Sequence, residues 1–181
     1  MYYMFLANGF EETEAIAPLD LIRRAEVEIY TVGVGSKVVT GAHQIPVVAD
    51  VMDCEVGPDK DCEGIILPGG MPGTLNLEKA ATVQKFIDYC VENNLMIAAI
   101  CAAPSILGHK GILEGKKAVC FPGFEEQLIG ATTTNDAVMT DGNIITACGA
   151  GAAIKFGLEI IKYIQNDASA KHYAKTILCD R

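Results

Sequence analysis

One cysteine of the seven is set apart by its neighbours. The stretch Met96-Ile97-Ala98-Ala99-Ile100-Cys101-Ala102-Ala103-Pro104 carries an apolar run of strand length straight into a proline-opened helix. Small residues stand two before and two after Cys101. That spacing suits a strained strand-to-helix turn, where flanking backbone comes close together and a nucleophile is left projecting at the sheet edge. Pro104 fits a first helical turn, which needs no N–H there, so Cys101 lies near a helix N-terminus whose dipole favours a thiolate. A packing role as a small hydrophobe is the alternative for any single cysteine. Its context at the end of an apolar run and before Pro104 favours the nucleophile.

Two further segments can serve such a nucleophile. Ile65-Ile66-Leu67-Pro68-Gly69-Gly70-Met71-Pro72-Gly73 ends a second apolar run in a small-residue turn, which can bring bare N–H groups to the same edge. Gly70 and Ala102 together could form an oxyanion hole. Alone, a Pro-Gly-Gly turn often does no more than reverse the chain. Glu11, Glu12 and Glu14 follow the first apolar run where a helix begins. Complementing the helix dipole accounts well for Glu11 and Glu12. A carboxylate pointing inward at Cys101 would instead share one proton with the thiol, because two adjacent anions repel.

The elements that must position these residues alternate along the chain. Apolar runs at 2–6, 27–32, 64–67, 96–100 and 143–146 read as strands, and amphipathic segments at 12–24, 81–93, 103–109, 152–165 and 169–177 read as helices. Pro18 is expected near the first turn of its helix or at a kink. Between 37 and 53, Gly41 and Pro46 interrupt short β-like pieces, which predicts a hairpin or edge excursion. The alternation implies a mostly parallel sheet with helices on both faces, whose ligand site lies beyond the carboxyl ends of the strands. With no linker or internal repeat, residues 1–181 are expected to form one domain.

Composition narrows the function classes. A net charge of −9, with lysines and arginines scattered, opposes a phosphate-backbone partner. The longest apolar runs fall far short of the roughly 20 residues that span a bilayer. The start of the chain reads as a buried strand and not as a signal peptide. An odd number of cysteines then points to free thiols in a reducing cytoplasm. No CxxC pair or zinc-like spacing occurs, so no metal is expected. Gly149-Ala150-Gly151-Ala152-Ala153-Ile154 lacks the third small residue of a dinucleotide loop, so no cofactor is expected.

Taken together, Gly9-Phe10-Glu11-Glu12-Thr13-Glu14-Ala15, Leu67-Pro68-Gly69-Gly70, the Cys101 segment and Ile144-Ile145-Thr146-Ala147-Cys148-Gly149-Ala150-Gly151 resemble the ThiJ/PfpI superfamily, most closely its DJ-one branch. The resemblance runs through nearly the whole chain in order. It implies a flavodoxin-like three-layer sandwich, Cys101 as an oxidation-prone nucleophile, Glu14 as the inward carboxylate, and Gly70 and Ala102 as backbone donors. It also implies a homodimer and a peroxide-formed sulfinate at Cys101. Two departures stand out. Some members place a histidine before a proline near the cysteine, where this chain has Phe121-Pro122, and relatives often carry Arg or Gln where Cys148 stands. His43, His109 and His172 lie in no segment that reaches the turn, so a Cys-His protease pair is unsupported.

The leading reading is a cofactor-free glyoxalase or deglycase acting on methylglyoxal-type dicarbonyls or their adducts. Cys101 would add to the carbonyl, Gly70 and Ala102 would hold the oxyanion, and Glu14 would move protons. The rival is an oxidative-stress sensor or redox-regulated chaperone using the same cysteine. A cysteine peptidase or amidase ranks third.

Overall fold

The structure is a computed structural model and describes residues 1–179. Its centre is a seven-stranded sheet in the order β10-β11-β7-β6-β1-β2-β5. These strands are β1 (Tyr2–Leu6), β2 (Ile29–Gly33), β5 (Val51–Met52), β6 (Gly64–Leu67), β7 (Met96–Ile100), β10 (Val138–Asp141) and β11 (Ile144–Ala147). Every pairing is parallel except β10 with β11. Buried on both faces, the inner strands read as continuous apolar runs rather than alternating ones. Tyr3 and Phe5 of β1 and Ile65 and Leu67 of β6 enter one core with α2 (Gly73–Lys79), α3 (Ala81–Glu92) and α4 (Pro104–His109). Met4, Leu6 and Ile66 enter the other, against α1 (Glu12–Arg24) and α5 (Ala153–Ile164). This is the flavodoxin-like layering expected from the sequence.

The predicted hairpin is present as β3 (Val38–Thr40) paired antiparallel with β4 (Pro46–Val48). A short parallel pair, β8 (Lys117–Ala118) and β9 (Thr132–Thr133), lies outside the main sheet. Several boundaries moved for local reasons. The second strand starts at Ile29 instead of 27, because Val27 N–H still bonds the Ile22 carbonyl and Glu26 turns with φ of 56°. The last helix, α6 (Asp167–Thr176), begins earlier than expected, because the Asn166 side chain accepts the Ser169 N–H and caps it. Helix α2 was not anticipated, since its seven residues are too few for a clear apolar period.

Pro18 sits inside α1 and not in its first turn. Lacking an N–H, it leaves the Glu14 carbonyl without its helical donor. The helix survives because α5 packs against it: a Cβ on Gly157 would stand 2.9 Å from both Leu21 Cδ1 and Pro18 Cα. Glycine at that position lets the two helices approach, and the pair holds the start of α1 over the carboxyl ends of β1, β6 and β7.

Candidate active site

Cys101 occupies the turn between β7 and α4 with φ of 65°, a left-handed conformation that costs energy for a residue with a side chain. Five neighbours enforce it. The Cys101 N–H bonds the Ala147 carbonyl at 2.8 Å, continuing the β7–β11 ladder by one residue. The Cys101 carbonyl accepts the Phe121 N–H at 2.8 Å. Ala99 and Ala103 are fully buried, as the small-residue spacing required. Gly69 is equally necessary, since a Cβ there would lie 2.7 Å from Cys101 Cβ and from Glu14 Oε2.

The proposed backbone donors converge on the sulfur. The backbone N–H groups of Gly70 and Ala102 both face Cys101 and favour its charged form. Gly70 adopts φ of 89° and packs so tightly on the start of α1 that a Cβ would stand 2.4 Å from Glu11 N. Its carbonyl is held by the Thr74 N–H and hydroxyl at 2.9 and 3.0 Å, which orients the turn.

Glu14 points inward and is 1% exposed. Its Oε2 accepts the Gly69 N–H at 3.0 Å, and the nearby Ala150 N–H and Cys101 side chain also favour its ionised form. Burial dominates and pushes its carboxyl up to about 7, against the opposing pull of the Cys101 and Gly69 hydrogen bonds. The Cys101 thiol is pushed up to about 12, by burial first and by the charge and hydrogen bond of Glu14 next, with the Ala102 and Gly70 N–H groups opposing. The sequence offered either a thiolate favoured by the helix dipole or a proton shared with an inward carboxylate, and these directions favour the second. The six-residue α4 is outweighed by burial and an adjacent carboxylate. Between these two values the pair holds one proton, on the thiol, beside an ionised Glu14 that can remove it.

The other acidic residues divide differently. Glu12 does more than complement the helix dipole: its Oε1 accepts the His43 and Ile45 N–H groups at 2.8 and 3.4 Å, tying the β3–β4 hairpin to α1. His43 Nδ1 lies 2.9 Å from Glu12 and 3.3 Å from Glu11, and these contacts raise its proton affinity. Among the described residues this trio is the only group of three whose ligand-type atoms lie within 4.8 Å of one another. His109 pairs with Glu78 and His172 stacks on Tyr173, so the histidines are engaged away from the turn. No helix among the described residues is long and apolar enough to cross a membrane.

Sequence reasoning missed three contributors. Gly69 acts as donor and as spacer, the Ala150 N–H favours the ionised form of Glu14, and Thr146 uses its hydroxyl to accept the Val119 N–H at 3.0 Å, anchoring the strand that leads to Phe121. Gly149 was a usable signal, since its φ of 154° is one that residues with side chains rarely adopt. Cys148 is half-buried and lines a cavity of about 300 Å³ with Val119, Cys120, Pro122 and Ala137.

The chain as a whole is similar to known proteins. The chain is 33% identical over 177 residues to Protein DJ-1 homolog A of Arabidopsis thaliana, covering 96% of this chain and 45% of that protein. It spans less than half the length of that relative and of homolog B, of which it covers 37%. It is 31% identical to dj-1beta of Drosophila melanogaster, covering 97% of this chain and 95% of that one. Deglycase PfpI of Pyrococcus furiosus is 30% identical, with 91% of this chain and 100% of that one covered. Oxidized Toxoplasma gondii DJ-1 superposes with a TM-score of 0.93 at 30% identity, over 98% of this chain and 97% of that one. With the profile of the DJ-1/PfpI family matching residues 2–163, the chain belongs to the DJ-1/PfpI family.

Proposed function

We propose that the protein is a cofactor-free enzyme that converts small α-dicarbonyls of the methylglyoxal type, or their adducts, through Cys101. The observation that carries this reading is the convergence of Glu14 and the Gly70 and Ala102 N–H groups on one sulfur. As the S–C bond forms, Glu14 takes the thiol proton and the two N–H groups hold the developing oxyanion, which is then protonated to a hemithioacetal. Glu14 next removes the proton from that carbon and returns it to the neighbouring one, while the hydroxyl proton passes to the former ketone oxygen through an enediol, giving a thioester. Water hydrolyses the thioester, releasing a hydroxy acid and the free thiol, so methylglyoxal plus water becomes lactate. A relative named deglycase supports the same chemistry. Multiple-turnover lactate formation by the wild type, abolished in Cys101→Ala, is the expected result; equal turnover in the variant would sink the proposal.

The same contacts also favour a second reading as a sensor of oxidative stress. Cys101 is half-buried, and a sulfinate there would find two N–H donors and a Glu14 able to carry a proton. A selective mass gain at Cys101 under mild peroxide, without turnover, would favour it. We further propose a homodimer in a reducing cytoplasm. Exposed Ile16 on α1 and Ile45 and Val48 on the hairpin supply apolar surface for a second copy. Sedimentation at twice the 19.3 kDa chain mass is the expected result.

A further inference from the structure

Carbonyl carbon, sulfur and oxyanion donors fix where the reacting end of a substrate must sit. Glu14, buried against Gly69 and Ala150, closes one side of that position. Phe121 is tied to the same turn. Its backbone N–H is bonded to the Cys101 carbonyl, and its own carbonyl accepts the Phe124 N–H at 3.1 Å, so the aromatic residue is fixed relative to the nucleophile by two main-chain bonds. Its side chain is far from a core position, with the residue 47% exposed. Gly149 lies between ring and carboxylate: a Cβ there would stand 3.3 Å from Phe121 Cδ2 and 3.9 Å from Glu14 Oε1. The Phe121 ring and the Glu14 carboxylate therefore both lie within 4 Å of the point that a side chain at 149 would occupy.

We propose that Phe121 is a specificity-determining residue that makes the site favour α-ketoaldehydes with an aromatic or bulky apolar substituent over glyoxal itself. The inference rests on the dicarbonyl reading above. An exposed aromatic face beside a reacting carbonyl is solvated by water when glyoxal is bound and covered when an aryl group is bound. Glyoxal has no substituent to cover it, so only the larger substrate gains the contact. The gain is realised in the transition state as well as on binding, because the carbonyl carbon stays tethered to Cys101 throughout. No charged side chain is needed for the discrimination.

The test compares kcat/KM for phenylglyoxal and glyoxal in the wild type, Phe121→Ala and Phe121→Leu. Aromatic pairing of this size predicts that the phenylglyoxal-to-glyoxal ratio falls roughly 3- to 10-fold in Phe121→Ala, with Phe121→Leu between. A thermal melt confirms that each variant is folded. A second measurement needs no turnover: alkylation of Cys101 by phenacyl bromide against bromoacetone, mapped by peptide mass and normalised to glutathione. There the S–C bond forms, bromide leaves and the thiol proton passes to solvent. An unchanged aryl preference in Phe121→Ala by alkylation overturns the proposal. Absent turnover of both ketoaldehydes, with the alkylation preference still dependent on Phe121, overturns the enzyme reading and leaves the role of Phe121 standing.

Discussion

Replacing Glu14 with glutamine separates the cost of the site from its use. The Glu14 carboxyl, ordinarily near 4.5, is raised to about 7 in the folded protein by burial. Protonation therefore favours the fold. That stabilisation is fully present below 4.5 and is lost as pH rises through about 7. At about 1.4 kcal/mol per pKa unit, the loss between pH 4.5 and pH 8 is roughly 3 kcal/mol. Glutamine cannot ionise, so it escapes this loss. It has its own penalty, because the carboxylate accepts the Gly69 N–H and lies near that of Ala150, and an amide nitrogen facing a donor forfeits about 1–2 kcal/mol. Glu14→Gln should therefore be less stable than wild type at pH 4.5 and more stable at pH 8. Urea unfolding at a series of pH values reads the difference directly, and its change across the range should approach roughly 3 kcal/mol. Parallel stability profiles for the two proteins would refute the assignment of a buried, ionising carboxyl to this position.

Two further outcomes follow from the same geometry. If Glu14 must be ionised to take the Cys101 proton, kcat/KM should rise with pH through about 7 and fall about tenfold per unit below it; a flat profile between pH 5 and 8 would remove Glu14 from the chemistry. Gly69→Ala would place a methyl group 2.7 Å from Cys101 Cβ and 2.9 Å from the Ile100 carbonyl, where backbone cannot give way. It should cost about 1–3 kcal/mol in a urea melt, and a displacement near 1 Å at the sulfur should lower turnover about a hundredfold. Wild-type stability and activity in that variant would show that the turn is looser than its contacts imply.

The turn that holds Cys101 and the residues around it were readable in the chain because they are written in local patterns. Alanines bracketing Cys101, a proline opening the next helix and a glycine pair after an apolar run each report a backbone demand that only small or rigid residues meet. The parallel sheet was legible for the same kind of reason, since strands buried on both faces must be apolar at every position. Element ends were less so: Asn166 as a cap and the turn at Glu26 depend on single hydrogen bonds that no periodicity records. For the protonation of the site, local pattern offered both a lowered thiol and a proton shared with an inward carboxylate, and it could not choose between them. A cysteine before a helix suggests a lowered thiol, yet Glu14 and Cys101, far apart in sequence, meet in a desolvated pocket where burial raises both and the Glu14 charge raises the thiol further. The hairpin tie through Glu12 and His43 and the placing of Phe121 and Glu14 around Gly149 likewise join distant segments. Residue spacing along the chain therefore determined which groups could react. Folding decided which of them share a proton and what shape of substrate they face, because desolvation and long-range contact exist only once the layers have packed.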